Sequence, residues 1–219
     1  MTTAKKLTII GFSIAVFLII LKKTDLLGLI TFDQSITSTW INEINFWIFL
    51  GLMFLVALKI EKTDFLLWEE SNKKWYFYVI SVISIFAGAV IVGILVPIIF
   101  KALQIPITQN VLESTTNYYC ENKFLLLFGC LTAGVVEEFI YRGYLMPRIE
   151  VFLKQKWVVI VLSAIIFGAA HISNLSIIGV VVPTFIGLIF SYHYYRFRNI
   201  TSLVIAHFLI DFASFITSC

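Results

Sequence analysis

Val135-Val136-Glu137-Glu138-Phe139-Ile140-Tyr141-Arg142 sets three charged side chains inside a run, 124–146, that otherwise reads as a membrane-spanning helix. Ionisable groups at bilayer depth are costly, so they turn to a bundle interior, a partner or a reacting molecule rather than to lipid. The stretch implies a bundle of membrane helices with a polar interior at this helix. Two later apolar runs add His171, one turn after Phe167, and His207 with Asp211. Together these residues point to a reaction centre inside the bilayer.

The rest of the chain agrees with that class. It is 60% hydrophobic and only 13% charged, too apolar for a soluble domain. No Pro/Gly/Ser-rich linker, low-complexity tract or internal repeat divides it, so residues 1–219 are read as one membrane domain. Its motif-bearing core is about 124–215, and 1–123 supply accessory helices and loops. The net charge of +3 is small, and the basic residues sit at the ends of apolar runs, a pattern of membrane orientation that excludes nucleic acid as a partner.

With roughly 20 apolar residues needed per span, seven candidate helices emerge, at about 7–21, 44–60, 75–100, 124–146, 157–174, 176–196 and 199–216. An eighth, half-inserted helix has room in 103–122. The expected fold is all-α, a polytopic transmembrane helix bundle around a central intramembrane cavity. Lys22-Lys23-Thr24-Asp25 follows the first run where a signal peptide would have small cleavage-site residues, so an uncleaved helix is expected there.

With the N-terminus inside, the inner segments hold Lys5, Lys6, Lys59, Lys62, Lys73, Lys74, Arg148, Lys154, Lys156, Arg196 and Arg198, and the outer ones Lys22, Lys23, Lys101 and Lys123. This asymmetry favours a cytoplasmic N-terminus, and the expected location is a bacterial plasma membrane. The amphipathic piece 147–156 is expected to lie in the inner interface, and His193, among aromatics by the inner rim, reads as an interfacial residue. Cys120, Cys130 and Cys219 make no disulfide framework and no C-x-x-C site. Cys120 and Cys219 fall on the same side of the membrane in this topology and could pair.

On an α-helix Glu138 and Arg142 are i and i+4 and can form an ion pair, whereas Glu137 is turned about 100° away. One carboxylate is then neutralised and the other is free to act as a general base or acid. The competing reading is a buried ionic cluster that only glues helices together, and a lone His at a helix end is usually just a satisfied polar residue. Against that, His207 and Asp211 repeat the i, i+4 arrangement in the last span. By depth, Glu137 and His207 fall near the middle of their spans and His171 nearer the outer end of the fifth.

In this order on successive apolar segments, Glu137-Glu138-x-x-x-Arg142, Phe167-x-x-x-His171 and His207-x-x-x-Asp211 resemble the three motifs of the CAAX protease and bacteriocin-processing family of intramembrane peptidases, also called the Abi family. The resemblance implies proteolysis of membrane-associated peptides or proteins at or in the lipid bilayer. Carried over by position, Glu137 is the glutamate that activates the attacking water, with His171 beside it. His207 and Asp211 are the pair that binds the oxyanion, and Glu138 and Arg142 are the supporting ion pair, with Phe167 beside them. The eukaryotic CAAX prenyl endopeptidases usually have Asn where Asp211 stands, and an Asp must be protonated or act through His207 in that role.

Glu137, His171 and His207 also satisfy the two-His-one-carboxylate pattern of a catalytic zinc site, so the cofactor is either none or Zn2+. The lack of H-E-x-x-H spacing leans toward none. Two other classes compete with the peptidase: a non-catalytic bacteriocin-immunity protein that binds its target, and a proton-coupled transporter, which lacks the expected paired broken helices.

Overall fold

Helix α1, Ile36–Leu55, starts where Ser35 and Ser38 cap each other reciprocally, each side chain bonded to the other's backbone N–H, which satisfies two of the orphan donors of a first turn. The computed structural model describes residues 7–14, 16, 35–106, 112–172 and 177–219. Among these α1 continues through a π-helical stretch, Val56–Glu61, and stops at Lys62 in the left-handed region. Then come α2, Trp75–Ala102, and α3, Leu112–Glu121. The motif helix α4 runs without a break from Lys123 to Leu153, followed by α5, Lys156–Ala169, α6, Ile177–Phe197, and α7, Ile200–Ser218. No strand occurs among the described residues.

Helices α1 with its π-helical end, α2, α4, α6 and α7 are long and apolar enough to cross a membrane, and the 14-residue α5 is shorter. The protein is thus a multi-pass helical membrane protein. Of the expected first span, 7–21, residues 7–14 and 16 are described and helical, and the others lie outside the described residues. The second helix begins at Ile36 rather than 44, and Glu43 within it is buried at 7% exposure and accepts the Tyr119 hydroxyl at 2.5 Å. Helix α3 occupies the place where an eighth helix had room.

The expected interfacial connector 147–156 is corrected more strongly. Residues 147–153 continue α4, and Arg148 is fully buried rather than lying at the interface. Its guanidinium pairs with Glu61 through Nε and Nη2, and its Nη1 donates to the carbonyls of Phe65 at 3.0 Å and Tyr144 at 3.1 Å. The Tyr144 hydroxyl donates to the other Glu61 oxygen at 2.7 Å. The pair welds the end of α1 to the motif helix, so Arg148 is no free inner charge. Arg148→Met strands a buried carboxylate and is expected to cost about 3–5 kcal/mol, whereas Glu61→Leu with Arg148→Met recovers most of it. Thermal unfolding in detergent checks this, and equal losses in the single and double variants would contradict it.

At the same end, Glu150 accepts from Trp68 Nε1 at 3.0 Å and from the Tyr195 hydroxyl at 2.7 Å, and Arg198 lies 3.0 Å over the Trp68 ring. His193, expected among aromatics at the rim, is buried against Phe77 and Phe197. Asn199 caps α7 by accepting from the Ser202 N–H at 3.0 Å, and Glu70 accepts from the Ile200 N–H at 2.7 Å. Burial raises the Glu70 carboxyl, and the Ile200 bond offsets that only in part. For a group raised on folding, its contribution is complete at low pH and is lost as pH rises through the folded value. Glu70→Gln keeps the acceptor and sheds the charge. Its Tm relative to wild type should therefore be higher at about pH 7 than at about pH 4, and a pH-independent difference would contradict this. At the opposite end a disulfide joins Cys120, in α3, to Cys219, the last residue of the chain.

Candidate active site

The motif helix is not a plain α-helix where it carries charge. Ala133–Glu137 and Phe139–Leu145 are π-helical, with Glu138 between them. The i→i+5 bonding of such turns is rare and recurs at functional sites. Wider turns rotate less per residue than the α-helical geometry assumed from sequence, yet Glu138 and Arg142 still meet, with Arg142 Nη1 donating to Glu138 Oε1 at 2.8 Å. Both are fully buried.

The same Glu138 oxygen reaches across to α7, where His207 Nδ1 lies 2.9 Å away. A carboxylate oxygen only accepts, so Nδ1 carries the proton and the other nitrogen, Nε2, points toward Asp211. The Nε2 to Asp211 Oδ2 separation is 3.6 Å, longer than a hydrogen bond and of the kind a bridging polar atom closes. Arg142, Glu138, His207 and Asp211 thus form one line of charge. Two helices can come this close because of Gly134: a Cβ there would stand 2.8 Å from the Val204 carbonyl oxygen and 3.2 Å from the Phe208 nitrogen of α7.

Glu137 is half-buried and is paired with neither Arg142 nor a histidine among the described residues. Phe167 is buried, and the Arg142 guanidinium lies 4.1 Å over its ring. The ring also meets His171 at 5.1 Å and His207 at 6.0 Å between centroids. His171 follows the end of α5, its Nδ1 bonded to the Phe167 carbonyl at 2.9 Å. At 1.5 Å per residue the 14-residue α5 is about 21 Å long, short of a hydrocarbon core of about 30 Å, and His171 follows its C-terminal end.

The structure adds side chains that the sequence did not mark. Phe190 of α6 completes the aromatic enclosure, 5.1 Å from the Arg142 guanidinium and 5.3 Å from the His207 ring. The Gly187 carbonyl accepts from Arg142 Nη2 at 3.4 Å, and Tyr141 packs edge-on against Phe167 at 5.2 Å. An aromatic residue in an apolar span carries no signal of its own, and only the crossing of α5 and α6 reveals Phe190. That crossing depends on Gly168, where a Cβ would run into Thr184 Oγ1 and stand 2.8 Å from the Val180 carbonyl oxygen.

His207 Nδ1 is bonded to Glu138 and His171 Nδ1 to a backbone carbonyl, the anchoring that a metal-ligating imidazole also uses, and Nε2 of each ring is left for other partners. Among the described residues no three His, Cys, Asp or Glu side chains are grouped to hold one ion.

The bundle thus holds a buried Glu–Arg pair and a histidine from a neighbouring helix, and comparison with known families bears on what they do. Residues 121–213 match the family model described as type II CAAX prenyl endopeptidase, Rce1-like, and this segment contains all three motifs. That segment is similar to the family that the motifs resemble, while residues 1–120 and 214–219 lie outside the match. No curated protein and no solved structure matches the chain.

Proposed function

We propose that the protein is an intramembrane endopeptidase that hydrolyses membrane-associated peptides or proteins with a water activated by Glu137. The observation that carries this reading is the division between the two adjacent carboxylates. Glu138 is consumed by Arg142 and His207, whereas Glu137 remains outside that chain of bonds beside the same helix junction. In the proposed reaction Glu137 takes a proton from water as its oxygen attacks the scissile carbonyl carbon. His207 acts as the imidazolium: Nδ1–H is held by Glu138, and Nε2–H, its charge balanced by Asp211, donates to the oxygen that becomes negative. The proton held by Glu137 passes to the departing amine as the C–N bond breaks. His171, held by the Phe167 carbonyl, stands at the C-terminal end of α5 to orient the water.

Orientation is part of the proposal. Disulfides form in oxidising compartments, so the Cys120–Cys219 bond supports placing that end of the bundle outside. The Lys- and Arg-rich end with Lys73, Lys74, Lys154 and Lys156 is then cytoplasmic, as is the N-terminus.

Two measurements bear on the reading. Reconstituted wild type should cleave a peptide presented in liposomes and carry no pH-driven flux, and flux without cleavage would favour a transporter. Because the donor set is not grouped for an ion, a strong zinc chelator should change the rate by less than about twofold. A loss of the order a bound catalytic metal contributes, several kcal/mol of barrier, would overturn the metal-free route.

A further inference from the structure

Helix α3 lies almost wholly outside the segment matched by the family model, and the proposed chemistry makes no use of it. One of its side chains nevertheless touches three helices at once. Tyr119 is buried at 9% exposure, and its hydroxyl donates to Glu43 of α1 at 2.5 Å. Its ring packs on Phe215 of α7 at 4.7 Å between centroids. The ring also fills the space over Gly129 of α4, where a Cβ would lie 2.7 Å from Tyr119 Cε1. Adjacent to Tyr119, Cys120 ties α3 to Cys219 beyond the end of α7.

The two helices that Tyr119 wedges together, α4 and α7, are those that bear Glu137, Glu138 and Arg142 and His207 and Asp211. Phe215 is i+4 from Asp211, so pinning Phe215 fixes the turn that carries Asp211. Gly129 is two turns before Glu137 on α4. Tyr119, Glu43 and Asp211 also lie within electrostatic range of one another. A carboxylate buried in a membrane helix needs a partner, and here the partner's ring rests on the catalytic helices.

We propose that Tyr119, held by its hydrogen bond to Glu43, is a positioning residue that fixes His207 and Asp211 of α7 against Glu137 and Glu138 of α4. It acts through the packing of α7 and does not touch substrate. This rests on the peptidase reading of the site. It makes α3 part of the working enzyme even though the family model begins at residue 121.

The test uses the full-length purified protein with one peptide substrate. Wild type is compared with Tyr119→Phe, Glu43→Gln, the double variant, and Glu137→Gln as the inactive control. Small misplacement of catalytic groups by a distant change costs up to about a hundredfold in rate, so Tyr119→Phe, which keeps the ring but releases α3 from Glu43, is expected to lower kcat about tenfold. KM should stay within about twofold, since substrate binding is not involved. Loss of the hydroxyl leaves buried Glu43 with one donor fewer, so Tyr119→Phe should unfold at a lower temperature, whereas the double variant, which also sheds the charge, should regain the unfolding temperature, keep the Cys120–Cys219 bond on a non-reducing gel and retain the kcat loss. Wild-type kcat in Tyr119→Phe would overturn the assignment while leaving the peptidase reading intact. So would a kcat that returns with the unfolding temperature in the double variant, or a lost disulfide, which is the signature of mere packing. Absence of cleavage by folded wild type would overturn both.

Discussion

Glu137→Gln is expected to leave a folded, membrane-inserted protein whose peptide hydrolysis falls about a thousandfold, within the range for removal of a general base. The substitution is nearly isosteric and Glu137 is only half-buried, outside the Arg142–Glu138–His207 line, so stability should change little. Loss of rate with unchanged unfolding temperature is the signature, measured by steady-state hydrolysis alongside thermal unfolding. The same variant separates catalysis from simple binding. If the protein protects a cell from a bacteriocin, protection should vanish with Glu137→Gln, and full protection by that variant would favour an immunity protein that binds without cleaving.

The second large effect has the opposite signature. Arg142 is fully buried, donates to Glu138 and the Gly187 carbonyl, and lies against Phe167 and Phe190. Arg142→Met strands Glu138 in a low-dielectric interior with His207 as its remaining partner, a change expected to cost about 3–5 kcal/mol of stability. It should also abolish hydrolysis, because His207 is oriented through Glu138. Adding Glu138→Gln removes the stranded charge, so the double variant should regain most of the unfolding temperature but none of the activity. Arg142→Lys is not expected to substitute, since an ammonium has neither the planar fork nor the stacking surface of a guanidinium. Recovery of activity in the double variant would show that the pair is structural glue.

The parts of this site that were legible in the sequence are those set by local geometry and bilayer cost. The Glu138–Arg142 contact is an i, i+4 relation, and His207 and Asp211 are another. The bond from Glu138 to His207 was not legible, because it joins residues 69 apart and depends on the backbone contact at Gly134. The π-helical turns were equally hidden, since nothing in Phe139-Ile140-Tyr141-Arg142-Gly143-Tyr144-Leu145 distinguishes them from an apolar α-helix. Polar residues near span ends misled in a consistent way. The second span was begun at 44, just past Glu43, and Arg148 was placed at the interface, because a single side chain gives no sign of a partner elsewhere in the chain. Tyr119 and Glu61 are those partners, at separations of 76 and 87 residues. Glu61 and Arg148 satisfy each other's charge, and pairing of this kind lets such residues lie deeper than their individual costs suggest.

The most direct test of the account is mass spectrometry of a membrane-compatible peptide library incubated with purified wild type in 18O-labelled water. The account predicts paired fragments whose new C-terminal carboxyl carries the label, formed by wild type with or without a zinc chelator and absent with Glu137→Gln. Unlabelled or absent fragments from folded wild type, or fragments formed equally by Glu137→Gln, would contradict it.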